Sequence, residues 1–168
     1  MPLKSDPFPI TATPAHAAEI ASLHVMSWRE TYPGLLPEAE IARHDEAARH
    51  ALWSSVLQAG KTRVILVPGV GFAAMGPQRD PAMSGDHPEE LLALYILRLH
   101  QGKGFGRRLL NEVRSELPFT AWVLAGNTGA ERFYAAMGGR ALRRATEEVA
   151  GMNLTEILLS FPSRADAP

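Results

Sequence analysis

A glycine-spaced loop between an apolar run and a helical pattern constrains the fold of this chain more than any other feature. The apolar run is LLALYIL, Leu91–Leu97, which contains no charged residue. The loop that follows, HQGKGFG, places Gly102, Gly104 and Gly106 at alternate positions. From Phe105 to Leu117 apolar residues recur at intervals of four, which is typical of a helix with one buried face. Because a continuous apolar strand is usually buried on both faces, the sequence predicts a buried strand, a flexible loop and a helix in succession.

The same periodicities along the rest of the chain predict a mixed α/β fold. Apolar segments bounded by turn residues favour strands, which we expect over 8–13, 63–67, 70–75, 89–97, 119–124, 140–149 and 152–161. Helical periodicity predicts helices over 14–29, 38–58, 105–117 and 127–137. This order indicates a central mixed sheet of about six or seven strands flanked by about four helices. The strand–helix–strand unit within 89–124 should be a right-handed parallel crossover.

The length and composition of the chain limit the classes of protein to which it can belong. Its 168 residues are predicted to form one domain, 1–168, with a core from about 8 to 161. The formal net charge of −1 argues against nucleic-acid binding, which calls for a basic excess. The absence of cysteine excludes disulfides, thiolate metal ligands and a cysteine nucleophile. No metal site is predicted, because the six histidines lack a ligand spacing such as H-E-x-x-H.

Hydropathy predicts neither a membrane segment nor an export signal. No apolar run approaches the ~18 residues that a membrane-spanning helix needs. The first residues, MPLKSDPFPITATP, contain four prolines and no apolar stretch of the kind found in signal peptides. We therefore expect a cytoplasmic protein without a membrane partner.

The glycine loop does not match two familiar phosphate-binding motifs. A P-loop requires a lysine followed by serine or threonine, whereas Lys103 is followed by Gly104. A dinucleotide fingerprint requires G-x-G-x-x-G, and Arg107 and Leu109 stand where the last glycine would fall. The spacing therefore excludes both interpretations.

What the loop does offer is a helix N-terminus with exposed main-chain amides. Such a terminus has several unpaired N–H groups and about half a positive charge. Glycine has no β-carbon and lets a ligand oxygen approach the main chain closely. Lys103, Arg107 and Arg108 add positive charge at the same place. The pattern favours an anion site, most simply for a diphosphate; the alternative is a tight turn whose glycines serve chain geometry alone.

Two segments, taken in order, resemble the GNAT family of N-acetyltransferases. The run LYILRLHQGKGFGRRLL resembles the acetyl-coenzyme-A signature of that family, whose core is Q/R-x-x-G-x-G/A. Downstream, GNTGAERFYAAMGG resembles its N-x-x-A-x-x-F-Y-x-x-x-G segment, and SWRETY is similar to many small bacterial members. The element order also matches, so the resemblance covers residues 8–161 and implies a GNAT-like acyl-CoA N-acyltransferase fold. Members of this family are often homodimers.

The resemblance implies an enzyme that uses acetyl-CoA as co-substrate and needs no metal. The pantetheine arm would lie between the fourth strand and the segment 122–124 of the fifth. Backbone N–H groups near Leu94 would polarise the thioester carbonyl, and those of 101–107 would bind the diphosphate. Asn127 resembles a position that contacts the coenzyme, and it can cap a helix as well. The implied coenzyme-binding residues are Leu94, Ile96, Gln101, Gly102, Lys103, Gly104, Phe105, Gly106, Arg107 and Asn127.

Two residues are implied to take part in proton transfer. Tyr134, in the F-Y pair, resembles the tyrosine that protonates the departing sulfur; the alternative is an ordinary core aromatic residue. Glu90, at the start of the apolar strand, matches the glutamate that deprotonates the amine in some members. Its alternative is a surface glutamate that caps the strand. Glu89, Asp86 and His87 lie close to Glu90 in the sequence and are alternative bases. A water relay could also replace any single base.

The expected acceptor is a primary amine of a small molecule or peptide. It would attack acetyl-CoA directly, because the chain has no cysteine to carry the acetyl group. Trp28 and Tyr32 are candidate walls of the acceptor pocket, unless they cover the core beneath a helix end. A rival interpretation is a non-catalytic acyl-CoA-binding sensor or interaction module on the same fold. A kinase-like transferase is disfavoured, because a Walker lysine–serine pair and a carboxylate pair for magnesium are both missing.

Overall fold

The computed structural model describes residues 7–167, which form one mixed sheet with helices packed against it. The strands are β1 (Ile10–Thr11), β2 (Arg63–Val67), β3 (Gly71–Pro77), β4 (Glu89–Ile96), β5 (Phe119–Leu124), β6 (Arg140–Val149) and β7 (Met152–Phe161). The helices are α1 (Ala17–Thr31), α2 (Glu38–Arg43), α3 (Glu46–Ala59), α4 (Phe105–Val113) and α5 (Thr128–Ala136). The strand order is β1-β2-β3-β4-β5-β7-β6, which confirms the predicted α/β class. None of the described helices is long and apolar enough to cross a membrane.

The two central strands are parallel and diverge after a short paired segment. β4 pairs with β5 only from Glu89 to Leu91, whereas β3 runs antiparallel to β4 as far as Ile96. Beyond Leu91, the edge of β4 that faces β5 has no strand partner. Main-chain N–H and C=O groups on that edge must therefore be satisfied by something other than the sheet. The predicted parallel connection is confirmed, and the sheet is open at its centre.

Two apolar layers, one on each face of the sheet, fix the helices. The layer around α4 includes Leu109, Leu110, Val113, Phe119 and Phe161. The layer around α1 and α3 includes Ile20, Leu23, Trp53, Leu66 and Phe72. β4 contributes Leu91 to the first layer and Ala93 to the second, because a β-bulge with Leu92 as the extra residue shifts the alternation between them. Residues 94–96 are only half-buried, because they reach the open part of the sheet.

The helix predicted over 38–58 is two helices in the structure. α2 and α3 are separated at His44, whose backbone is not helical. Asp45 then caps α3, because its carboxylate accepts a hydrogen bond from the Ala48 N–H at 2.8 Å. An aspartate cap inside a long periodic segment was therefore the signal that divides it.

The helix predicted over 105–117 ends earlier, at Val113. The next residue, Arg114, is extended, with φ −73° and ψ 144°. Ser115 donates a hydrogen bond to the Glu89 carboxylate at 2.6 Å and accepts one from the Leu117 N–H at 3.0 Å. These side-chain bonds compete with continuation of the helix, and Leu117 is left 46% exposed. The strand predicted over 8–13 is likewise reduced to β1.

A buried histidine supports the aromatic residues around the centre of the sheet. His24 on α1 is 6% exposed, and its Nδ1 accepts a hydrogen bond from the Trp53 indole N–H at 3.0 Å. Its ring stacks on Tyr95, with centroids 4.9 Å apart. Burial, followed by the charges of Arg49 and His44, lowers the pKa of His24 to about 3. The imidazole is therefore neutral at physiological pH.

We expect His24 to make the fold sensitive to acid. An unfolded histidine binds a proton below about pH 6.5, whereas folded His24 does so only near pH 3. Its contribution to stability is therefore complete above pH 6.5 and is lost as the pH falls towards 3. Between neutral pH and about pH 4 this should remove roughly 3 kcal/mol from the free energy of unfolding, measured by denaturant titration. His24→Gln can accept the Trp53 hydrogen bond without titrating, so an equally acid-sensitive variant would contradict the assignment.

Candidate active site

The divergence of β4 from β5 opens a cavity of about 880 Å³. Leu94 and Ile96 line it from β4, and Trp122 and Leu124 line it from β5. The glycine loop and the start of α5 also line it, as do the α1–α2 segment and the β6–β7 hairpin. The segments predicted to bind the coenzyme and those predicted to face the acceptor therefore share one cavity.

The glycine loop presents a row of main-chain amides at the start of α4. No backbone or side-chain acceptor between residues 7 and 167 receives the N–H groups of residues 102–107. The first bond is made by the Arg108 N–H, which donates to the Gly104 C=O at 3.1 Å. Gly102 and Gly104 have φ values of 72° and 84°, in the left-handed region that favours glycine. The amides predicted to form an anion site are thus not occupied by the protein's own acceptors.

The remaining glycine and the glutamine hold this loop in place. A β-carbon on Gly106 would lie 3.1 Å from Cε2 of Phe133, so glycine is needed where α4 approaches α5. Gln101 Nε2 donates to the Ile96 C=O at 3.0 Å and ties the loop to the end of β4. The loop conformation is therefore set by packing and hydrogen bonds that leave its amides free.

The other predicted coenzyme-binding residues differ in their placement. Arg107 and Asn127 line the cavity, whereas Lys103 and Phe105 do not. Lys103 is exposed, and Phe105 is 7% exposed because its ring anchors α4 in the core. Asn127 caps α5, since its side-chain oxygen accepts a hydrogen bond from the Ala130 N–H at 3.3 Å. Its side-chain amide nitrogen is left to donate to another group.

Tyr134 is both a core residue and a cavity residue. It is 8% exposed, and its ring packs against Phe133 and Phe161 at centroid distances of 5.3 and 6.0 Å. It nevertheless lines the cavity, and its hydroxyl has no hydrogen-bond partner in the described part of the chain. Burial raises the pKa of Tyr134 well above its ordinary value. The hydroxyl therefore keeps its proton at neutral pH.

Glu90 lies behind an arginine rather than on the cavity wall. The residue is 2% exposed, and its carboxylate accepts hydrogen bonds from Arg79 Nε at 3.0 Å and Nη2 at 2.5 Å. Arg79 lines the cavity, and the hydrogen bond to Glu90 raises the pKa of this guanidinium. The pair places a buried carboxylate one side chain away from the cavity.

The alternative bases Glu89, Asp86 and His87 lie outside the cavity. The Glu89 carboxylate accepts from Arg63 at 2.8 Å and from Ser115 at 2.6 Å. Burial acts to raise the pKa of Glu89, but these hydrogen bonds outweigh it and leave the pKa below its ordinary value. His87 Nε2 lies 2.8 Å from Ser160 Oγ. Neither these two groups nor Asp86 lines the cavity.

An aromatic wall closes the cavity on the α1 side. Trp28, Tyr32 and Tyr95 all line it. The Trp28 indole N–H donates to the Tyr95 hydroxyl at 3.0 Å, and the Trp28 ring lies 4.7 Å from that of Tyr32. Burial, and then the Tyr95 hydroxyl, raises the pKa of Tyr32. Trp28 and Tyr32 were predicted at this wall; Tyr95 was missed, although alternation along β4 places it on the face opposite Leu94.

Two carboxylates on the last hairpin also line the cavity, and the sequence analysis missed them. Glu147 lies on β6 and Glu156 on β7. They are diagonal neighbours, because Glu147 pairs with Leu154 and Ala145 pairs with Glu156. Burial, followed by repulsion from Glu147, raises the pKa of Glu156. The two-residue turn at 150–151 sets this register, so strand alternation was the signal that could have revealed the pair.

Comparisons with known sequences point to acetyl transfer. The family model described as an acetyltransferase (GNAT) domain matches residues 57–138. These residues contain both the glycine loop and the F-Y segment. The uncharacterized N-acetyltransferase YuaI of Bacillus subtilis (strain 168) is 31% identical over 157 residues, which is 86% of this chain and 86% of that protein.

Solved structures share the fold over nearly the whole chain. The yncA protein of Salmonella typhimurium, whose structure contains its cofactor acetyl-CoA, gives a TM-score of 0.69 at 19% identity and covers 98% of both chains. A GCN5-related N-acetyltransferase from Rhodopseudomonas palustris gives 0.67 at 23% identity, over 96% of this chain and 98% of that one. The likeness confirms the GNAT-like fold predicted from the sequence.

Proposed function

Because this chain belongs to the GNAT family of N-acetyltransferases, we propose that it transfers an acetyl group from acetyl-CoA to a primary amine of a small molecule or peptide. The observation that carries this proposal is that free main-chain amides and an open strand edge face the same cavity. The chain has no cysteine, so the amine attacks the thioester directly while both substrates are bound.

The residues present fit coenzyme A along the cavity. The free N–H groups of 102–107 and the positive end of α4 suit a diphosphate, and Arg107 adds charge beside them. The pantetheine arm would follow Leu94 and Ile96, where the edge of β4 that faces β5 has no strand partner. Asn127 would donate its side-chain N–H to the coenzyme while its oxygen caps α5.

In the transfer step the amine nitrogen bonds to the thioester carbon and the carbon–sulfur bond breaks. N–H groups on the open edge of β4 near Leu94 would stabilise the negative charge that develops on the carbonyl oxygen. The amine gives up a proton to Glu90, and Tyr134 gives one to the departing sulfur. The proton on Glu90 then returns to Tyr134 through solvent, so the products are an amide and free coenzyme A.

Glu90 reaches the amine only past Arg79 or through a water molecule beside it. We expect Glu90→Gln to lower kcat/KM for the amine about 10²–10⁴-fold at neutral pH, the range of general base catalysis. Arg79→Gln is the matched variant, because it breaks the same ion pair but keeps the carboxylate and should therefore lose much less of kcat/KM. An unchanged kcat/KM in Glu90→Gln would assign the base to another group.

Binding and turnover test the proposed function separately. Isothermal titration calorimetry with coenzyme A measures binding, and release of free thiol from acetyl-CoA across an amine panel measures turnover. Binding together with amine-dependent thiol release is the expected result. A folded protein that does not bind coenzyme A would defeat the proposal. Binding with no turnover on any amine would instead support the acyl-CoA-binding sensor or interaction module.

The expected assembly and location stay predictions. The family resemblance favours a homodimer, which light scattering of the purified protein would measure. A cytoplasmic location is expected from the sequence, and fractionation of expressing cells would test it.

A further inference from the structure

We propose that the acceptor is a small diamine whose second ammonium group is bound by Glu147 and Glu156. This inference rests on the proposed acetyltransferase function and names the substrate class for the same site. It concerns the part of the cavity lined by the α1–α2 segment and the β6–β7 hairpin, which we call the acceptor end.

Other charged side chains at the acceptor end are already paired. Glu40 lines the cavity and binds Arg43, with Nη2 and Oε2 2.5 Å apart. Arg79 lines it and binds Glu90 at 2.5 Å. Each pair is electrically neutral, so neither demands a charged ligand.

The two hairpin carboxylates are in no such pair, and among the described residues only the charge of Arg79 attracts Glu156 at longer range. Glu147 and Glu156 form no ion pair with any residue from 7 to 167. Diagonal neighbours on antiparallel strands lie roughly 7–8 Å apart, close enough for one ammonium group to interact with both side chains. Repulsion between them contributes to the raised pKa of Glu156. A cation bound between them would relieve that repulsion.

The aromatic residues at this end of the cavity suit a cation with an apolar stem. Trp28, Tyr32 and Tyr95 present aromatic surface to the same cavity. Aromatic faces attract ammonium groups and also cover methylene groups. A chain of methylenes carrying ammonium groups matches both walls, whereas a carboxylate-bearing acceptor would be repelled by the hairpin.

The reacting nitrogen cannot itself be the cation that these carboxylates need. We place the reacting end at Tyr134, because this residue lines the cavity and its hydroxyl is unpartnered among the described residues. An amine attacks a carbonyl only when it is neutral, since its lone pair must be free. The positive charge opposite Glu147 and Glu156 must therefore belong to a second group on the acceptor.

Cadaverine and n-pentylamine form a matched pair of probes, because they have the same chain length and differ by one ammonium group. We expect kcat/KM for cadaverine to exceed that for n-pentylamine about tenfold at low ionic strength, since two exposed carboxylates each contribute modestly. Added salt should reduce the ratio. The double variant Glu147→Gln/Glu156→Gln should bring it close to the statistical ratio of about two for a diamine with two equivalent amines, through the rate on cadaverine.

Glu148→Gln is the control for loss of charge. Glu148 is the exposed neighbour of Glu147 on the other face of β6 and does not line the cavity. The Glu148→Gln variant should therefore keep the preference for cadaverine over n-pentylamine unchanged. Equal rates on both amines, turnover of neither amine by a protein that binds coenzyme A, or a preference well above the statistical ratio that survives in the double variant would each overturn the inference. Failure to bind coenzyme A would overturn the proposed function itself.

Discussion

Coenzyme A binding should be lost when Gly104 is replaced by glutamate. Gly104 stands immediately before α4, among the free amides of residues 102–107. A carboxylate about 4 Å from a phosphate charge costs about 4 kcal/mol near a protein surface. The dissociation constant should therefore rise at least about 100-fold.

Backbone strain has to be separated from charge in this experiment. Gly104 has φ 84°, and a residue with a β-carbon costs about 1–2 kcal/mol in that region. Gly104→Ala has the strain without the charge and should weaken binding much less. Gly60→Glu is the second control, because Gly60 also has positive φ, 65°, and ends α3 at a distance from the cavity.

Calorimetric titration and thermal unfolding of these three variants give the answer together. Gly60→Glu and Gly104→Glu should melt at similar temperatures, while only the second fails to bind coenzyme A. If Gly104→Glu bound as tightly as the unaltered protein, the diphosphate would have to lie elsewhere and the loop would be a turn alone.

The parts of the fold that were predictable are those in which local sequence and packing agree. The continuous apolar run LLALYIL favours a strand that is buried on both faces. The glycine loop and the amphipathic segment 105–113 come directly after it, so the strand–loop–helix unit was predictable. The predicted element boundaries were wrong where a polar side chain ends a helix although the apolar periodicity continues. Asp45 divides the predicted second helix through its cap, and Ser115 diverts the chain after α4 towards Glu89.

The coenzyme end of the site was more predictable than the acceptor end. The coenzyme segments are contiguous in sequence, and main-chain amides need no particular side chain to be recognised. The acceptor end combines side chains from α1, a loop and the last hairpin, which only the tertiary fold brings together. Arg79 and Glu156 are ordinary surface residues in the sequence, and their common cavity is a property of the sheet opening.

Replacement of Tyr134 by phenylalanine should lower turnover far more than it changes coenzyme affinity. The proposed role of the hydroxyl is to protonate sulfur as the carbon–sulfur bond breaks, an interaction that exists only in the transition state. We expect kcat to fall about 10²–10⁴-fold, as for loss of a general acid. The dissociation constant of coenzyme A should stay within about twofold, because the ring and its packing are retained.

Tyr32→Phe is the matched tyrosine variant. Tyr32 is half-buried and lines the same cavity, but its proposed contact is with the acceptor. Its loss should act mainly on KM for the amine. A kcat in Tyr134→Phe within about threefold of the unaltered enzyme would remove Tyr134 from the mechanism, because general acid catalysis supplies more than that.

Stability distinguishes a catalytic hydroxyl from a structural one at this position. The Tyr134 hydroxyl faces the cavity and makes no hydrogen bond in the described part of the chain, so its removal costs the fold no hydrogen bond. Tyr134→Phe should therefore unfold at the same temperature as the unaltered protein or at a higher one, while its turnover falls. A hydroxyl kept for structure would give the reverse result, with lower stability and unchanged turnover, so thermal unfolding and kcat measured on one preparation decide between the two roles.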